Sequence, residues 1–534
     1  MSIGFAETAD LVIINARVYT VDPTRGSAAS IAIRGNLIVA ASADVSSYIG
    51  PNTKQIDAKG RTIVPGLIDS HVHMAALGAS LTSLDLRGVG SEQEAANKTA
   101  EAARKQKPGD WVSGRAWDQN LWPAKQFPTL ASLDAAAPNN PVFLSRVDGH
   151  AAWVNSRALA LADVNAATKD PEGGRIVRDS AGRPSGVLLD RAQELVTHHI
   201  PQPDKVQLEN EIEAAAQKCV RDGLTSVDDA GVGAPELEAY RALIAENRLP
   251  LRVYAMILLP DNVALWEQYR KNGPEVSEWL TVRSLKLYAD GALGSRGAAL
   301  LGPYSDDPGN SGLQILTKDF IEKTAREAIA AGFQVNTHAI GDRANHDVLD
   351  AYEAALGGKN DKRFRIEHAQ VVAPRDFQRF RDYSIIASMQ PTHATSDMPW
   401  AAARLGGKRI LGAYAWQNFL KIGVHVASGS DTPVEDPNPL WGFYSAVTRE
   451  DHEGRPYGGW FPAQRMTRAQ ALRSWTIEGA YADFQETRKG SIEVGKLADL
   501  VMFSDNIMEM TPEQIWKVRV VMTIVDGKIV YREP

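Results

Sequence analysis

The chain has 534 residues, of which 44% are hydrophobic and 23% charged, and it carries a formal net charge of −7. That balance excludes a disordered or low-complexity protein, leaves room for more than one domain, and argues against nucleic acid as the main partner. No apolar run is long enough to span a membrane, Met1 to Asp10 lacks a basic-then-apolar signal pattern, and the single cysteine, Cys219, excludes an intrachain disulfide, so a cytoplasmic enzyme is expected.

The first part reads as short strands broken by turn residues. Leu11 to Ile14 and Arg17 to Val21 flank Asn15-Ala16, and Ser30 to Ile33 and Leu37 to Ala40 flank Arg34-Gly35-Asn36. The last part has the same style. Asp499 to Phe503 and Val518 to Val525 lead into the turn Asp526-Gly527-Lys528 and then Ile529 to Tyr531. Two β-rich ends around an α/β middle suggest one small β-sandwich built from both termini, over residues 1–62 and 488–534.

The middle, residues 63–487, alternates apolar strands with helical stretches. Eight strands are expected: Ile63–Ile68, Leu224–Asp228, Leu251–Leu259, Val282–Ala289, Phe333–Asn336, Phe364–Glu367, Ile385–Met389 and Val424–Ser428. Helical stretches between them include Leu208–Arg221, Ala234–Ala245, Thr317–Ala331 and Asn345–Leu356. The fold class is therefore α/β, with a (β/α)8 TIM-like barrel as the leading architecture and a doubly wound open sheet behind it. The gap between the first two strands is far longer than one helix needs. It holds strand-like runs of its own, Trp111 to Gly114 and Pro141 to Leu144, and reads as a subdomain inserted over the barrel mouth at about residues 75–215.

Candidate ligands fall at the carboxyl ends of the expected strands, where this fold keeps its chemistry. The first strand runs into His71-Val72-His73, and residues two apart in an extended strand share a face. Lys286 lies within the fourth, His338 at the end of the fifth, His368 at the end of the sixth and Asp431 at the end of the eighth. Singly, each has a plain structural reading as a hydrogen-bonded strand end or a turn. Together, four imidazoles and a carboxylate suit zinc, manganese, iron or nickel rather than calcium. A lysine in an apolar strand needs a partner or an altered charge. A metal supplies hydroxide at neutral pH, and the aspartate can take a proton from the water and pass it to a leaving group.

In order and strand position these residues resemble the metal-dependent amidohydrolase superfamily. Three phrases, Lys286 to Arg296, Thr337 to Ala344 and Asp148 to Asn155, resemble its branch of N-substituted formamide deformylase and YtcJ-like hydrolases. The resemblance implies that His71, His73 and Asp431 hold one divalent metal, with zinc first in line. It also implies that His338 and His368 hold a second, and that Lys286 bridges the two as a carbamate. The reaction implied is hydrolysis of a non-peptide carbon–nitrogen bond in a small molecule by metal-activated hydroxide. A deaminase, a carbamate hydrolase, an esterase or a noncatalytic assembly protein on the same fold stand as alternatives.

Around the pocket, His150 is expected to contact substrate or the tetrahedral intermediate. Asp148, Trp117, Trp153 and His393 are expected to touch substrate, and Asp290 and Arg296 to support the ligands from behind. His198, His199, His346, His425 and His452 read as surface or core residues. The partners expected are a small molecule and, at most, a second copy of the chain.

Overall fold

The structure, a computed structural model, describes residues 8–534. Most of Met1 to Asp10, and with it most of the signal-peptide reading, lies outside them. The eight barrel strands are β1 (Leu67–Val72), β2 (Leu224–Val232), β3 (Arg252–Leu258), β4 (Leu280–Tyr288), β5 (Gln334–Ala339), β6 (Arg365–His368), β7 (Ile386–Met389) and β8 (Val426–Ser428). Each pairs in parallel with the next from β1 through β8. Such strands are covered on both faces, which is why they read as continuous apolar runs.

No regular ladder joins β8 to β1 among the described residues. The loop after β8 closes the seam instead. Asp431 N donates to His71 O and His73 N donates to Thr432 O, both at 2.8 Å. Gly429 is required there, since a Cβ would lie 2.7 Å from His71 N.

The helices start where capping side chains stand. Asp204 accepts from Gln207 N at the head of Lys205–Arg221, and Thr317 accepts from Phe320 N at the head of Lys318–Ala331. Gly332, with φ of 79°, ends the second of these in the left-handed conformation.

The expectation of one strand over Ile63–Ile68 is corrected. The chain breaks at Gly66, where a Cβ would meet Thr225 Oγ1 at 2.2 Å. Before it, Thr62–Pro65 pairs with Leu500–Phe503 in a six-stranded sheet that joins both ends of the chain. After it, β1 begins, so His71 lies within the barrel strand rather than beyond it. The Pro65-Gly66 dipeptide was the available signal.

The six-stranded sheet runs Lys528–Arg532, Val520–Val525, Leu500–Phe503, Thr62–Pro65, Arg17–Tyr19 and Ser27–Ala28. A four-stranded sheet runs Leu37–Ser42, Ser30–Arg34, Leu11–Ile14 and Lys54–Asp57. Leu11–Ile14 and Arg17–Tyr19 are thus in different sheets, and the chain crosses between them at Asn15, whose φ is 55°. Ile13, Ile31, Ile33, Ile63, Leu500 and Ile524 share the core between the sheets.

Between β1 and β2 the chain builds a further six-stranded sheet. Its order is Gly174–Arg178, Pro184–Asp190, Ala151–Val154, Val142–Arg146, Val112–Trp117 and Leu84–Asp85. Its loops meet the carboxyl ends of the barrel strands and enclose a cavity of about 930 Å3 lined from both sides.

Candidate active site

The site begins with a row of buried charges on β6. Arg365 and Glu367 are two apart and share a face. Arg365 Nε donates to Glu367 Oε1 at 2.7 Å, and its Nη1 donates to Asp228 Oδ2 at 2.6 Å. Glu367 Oε2 lies 2.5 Å from His71 Nδ1. Burial alone would raise the Glu367 carboxyl, but Arg365 and His71 outweigh it and hold the group well below the usual carboxylate range. Burial and the neighbouring Lys286 bring the His71 imidazole down to about 4 despite Glu367, so the ring is neutral. With Nδ1–H given to Glu367, the lone pair of Nε2 faces the cavity.

Three groups meet that face. Lys286 Nζ is 3.2 Å from His71 Nε2, and Asp431 Oδ1 is 3.5 Å away. His73 Nε2 is 3.2 Å from the same Asp431 oxygen. Asp431 sits at φ of 58° and His368 at φ of 72°, a region side-chain-bearing residues rarely occupy. Burial would raise the Asp431 carboxyl, but the hydrogen bond from His73 and the His71 and His368 rings hold it well below its ordinary range.

Lys286 is fully buried, and among the described residues it makes no ion pair within 4.0 Å. Its hydrogen bond is to His71, and its ammonium lies 4.6 Å from the centre of the Tyr288 ring. Burial brings its pKa down to about 8. His338 is 4.6 Å from His368 and 5.0 Å from His150, ring centre to ring centre. Burial, then His368 and His150, keep it neutral. Its Nε2 is buried without a hydrogen-bond partner among the described residues. His368 gives Nδ1 to Gln390 Oε1 at 2.8 Å, which turns its Nε2 toward the same space.

This donor set fits a metal. His71, His73 and Asp431 have ligand atoms within 4.8 Å of one another, and so do His368, His393 and Asp431. Neutral imidazoles with an ionised carboxylate are what zinc and its neighbours take. The hydrogen bonds from His71 to Glu367 and from His368 to Gln390 orient the ligands as metal sites require.

From the inserted sheet, His150 reaches the cavity beside His338. Its Nδ1 is 2.7 Å from Asp190 Oδ1. Burial would lower the imidazole, but Asp190 raises it above its ordinary value. Asp148 also lines the cavity, paired with Arg146, a buried guanidinium that holds Asp118 as well. His393 lines it from the helix Pro391–Arg409.

The expectation that Trp117 and Trp153 touch substrate does not hold. Both are fully buried on the covered face of the inserted sheet, with ring centres 6.1 Å apart, packed against Trp122. Their Nε1 atoms donate to the carbonyls of Leu144 and Thr129. Indole suits such a core, where its area is buried and its one N–H is satisfied. Arg296 pairs with Asp306 at 3.1 Å, away from the cavity lining. Asp290 accepts the backbone N–H groups of Ala299, Ile340 and Gly341, so it shapes the loops behind His338.

Sequence reasoning missed Glu367, Arg146 and Asp190. The available signal was charge inside strands otherwise apolar, since buried charges must be paired.

The chain matches the profile of the amidohydrolase family over residues 54–531. It is 35% identical to the protein LONG AFTER FAR-RED 3 of Arabidopsis thaliana, over 98% of this chain and 92% of the relative. It is 30% identical to N-substituted formamide deformylase of Arthrobacter pascens, over 98% of each. The crystal structure of an uncharacterized metal-dependent hydrolase from Pyrococcus furiosus superposes with a TM-score of 0.73 at 28% identity, covering 93% of this chain and 100% of that one.

Proposed function

Because the chain belongs to the amidohydrolase family, we propose that it hydrolyses a non-peptide carbon–nitrogen bond, of the amide or formamide type, in a small molecule. The observation that carries this reading is the neutral His71 face, with Lys286, His73 and the ionised Asp431 converging on it at the carboxyl end of the barrel. The likeness to a formamide deformylase over nearly the whole chain supports the bond type, and the cavity volume suits a small substrate.

His71, His73 and Asp431 hold one divalent ion in this reading, and Lys286, His338 and His368 hold a second. Zinc is the first candidate, and a metal here supplies a water whose pKa is lowered to about 7 and polarises the substrate carbonyl. Lys286 becomes an anionic oxygen ligand by carboxylation. Its neutral Nζ forms a bond to the carbon of carbon dioxide and loses one proton to solvent, leaving a carbamate.

Asp431 is the proton carrier. Its carboxylate takes a proton from the attacking water and delivers it to the departing nitrogen. His150 presents Nε2–H to the substrate carbonyl oxygen, because Nδ1 is committed to Asp190. Asp148 and Arg146 shape the wall the substituent on nitrogen would face.

The test is a hydrolysis screen of the metal-loaded enzyme across N-formyl, N-acyl, carbamate, cyclic amide, amidine and ester compounds. Turnover of N-formyl or N-acyl amides is expected. Turnover confined to amidines or esters would replace this reading with a deaminase or an esterase.

A further inference from the structure

His393 is not among the ligands that the reading above assigns to either ion. It stands in the first turn of the helix Pro391–Arg409, three residues past Gln390, the residue that orients His368. Its side chain is nine-tenths buried, and its Nε2 has no hydrogen-bond partner among the described residues. A buried ring nitrogen facing a polar cavity without a partner is costly unless something fills the gap.

The distances say what fills it. In a tetrahedral site with bonds of about 2.0–2.1 Å, ligand atoms lie about 3.3 Å apart. His73 Nε2 and His71 Nε2 are 3.2 and 3.5 Å from Asp431 Oδ1. On the other side of the same carboxylate, His393 Nε2 is 3.7 Å from Oδ2. His368, whose Nδ1 is already bonded to Gln390, completes the second group, with all three ligand atoms within 4.8 Å of one another.

We propose that His393 is a metal ligand, and that His368 and His393 form a cation seat beside Asp431, next to the seat of His71, His73 and Asp431. The proposal rests on the metal-dependent reading above. It makes the first turn of the helix after β7 part of the metal centre.

The test is cobalt(II) titration of the metal-free full-length protein, read by visible absorption and by cobalt retained per chain after desalting. His393→Ala and His393→Gln are compared with wild type and with His71→Ala/His73→Ala, with circular dichroism as the check on folding. The expected result is that either His393 variant shifts the cobalt bands and binds the second equivalent at least about tenfold more weakly. The glutamine variant keeps the bulk and polarity of the position, so it answers the question should the alanine variant not fold. Wild-type bands, stoichiometry and affinity in the His393 variants, with cobalt binding lost in His71→Ala/His73→Ala, would overturn the role of His393 and leave the proposed function standing. Unchanged cobalt binding in every variant would overturn both.

Discussion

Ser430 donates two hydrogen bonds to one buried carboxylate, Asp69. Its backbone N–H reaches Oδ1 at 2.9 Å and its hydroxyl reaches Oδ2 at 2.6 Å. Asp69 belongs to β1 and Ser430 to the loop after β8, so this pair stitches the open seam of the barrel. Asp69 Oδ1 also accepts from His71 N at 3.2 Å. The same carboxylate therefore registers the backbone of His71 against that of Asp431, and two ligands from opposite ends of the barrel sequence meet.

Asp69→Ala should weaken folding through the seam. It leaves three buried donors without an acceptor, each costing about 1–3 kcal/mol, so a loss of about 3 kcal/mol is expected after relaxation. Asp69→Asn keeps an oxygen for the backbone donors and should lose less. Urea unfolding of the two variants checks the order, and equal losses would count against the seam.

Glu367→Gln removes the charge that pairs with Arg365 and orients His71. Breaking a buried pair on one side costs about 3–5 kcal/mol, and Asp228 remains on Arg365, so the lower end is expected. Loss of the partner behind a ligating imidazole should also weaken metal binding by about 10–100-fold. Chelator competition measures the second effect separately from the unfolding curve.

Asp431→Asn keeps the shape of the side chain and its bulk in the seam but cannot carry a proton. Turnover on the best amide found in the screen should fall at least about a hundredfold. The melting temperature should move by only a few degrees. Retained turnover would remove Asp431 from the reaction.

Glu478 supplies a pH test far from the ligands. Its carboxylate, in the first turn of the helix Ile477–Ala482, lies 2.6 Å from His425 Nδ1 and 2.7 Å from Arg473 Nη2. Burial would raise it, but His425 and Arg473 lower it below its ordinary value. A carboxylate lowered by folding contributes stability above its unfolded pKa and loses it as pH falls through the folded value. Glu478→Gln should therefore destabilise the protein at pH 7, and the difference from wild type should shrink on acidification below about 4.5. Melting temperatures of both proteins from pH 7 down to the acid transition give the comparison.

His425 itself was expected to be a surface or core residue, and it is a surface one, its side chain 46% exposed. It stacks on Tyr481 at 3.9 Å between ring centres and anchors Glu478. The same spacing logic that singled out His71 and His73 had nothing to say about it, because its partners lie on a helix more than fifty residues later. Trp117 and Trp153 show the opposite failure. Their nearness in sequence to Asp118 and Asp148 suggested a pocket, but those aspartates stand in loops past the strand ends, while both indoles lie within strands and pack against Trp122.

By itself the sequence determined seven of the eight barrel strands, the β-rich ends that pair with each other, and a set of ligand-type residues at several strand ends. It could do so because apolar periodicity and strand-end position are local properties of the chain. Only the tertiary structure decided that Glu367 stands behind His71, that Asp190 stands behind His150, and that His393 turns its free nitrogen toward Asp431. It also decided that the barrel closes through Asp69 and Ser430, which are 361 residues apart. These are contacts between side chains whose separation along the chain carries no information about their separation in space. What brings Asp69 to Ser430 is the return of the eighth strand beside the first, and what brings Asp190 to His150 is the pairing of Ala151–Val154 with Pro184–Asp190 in the inserted sheet.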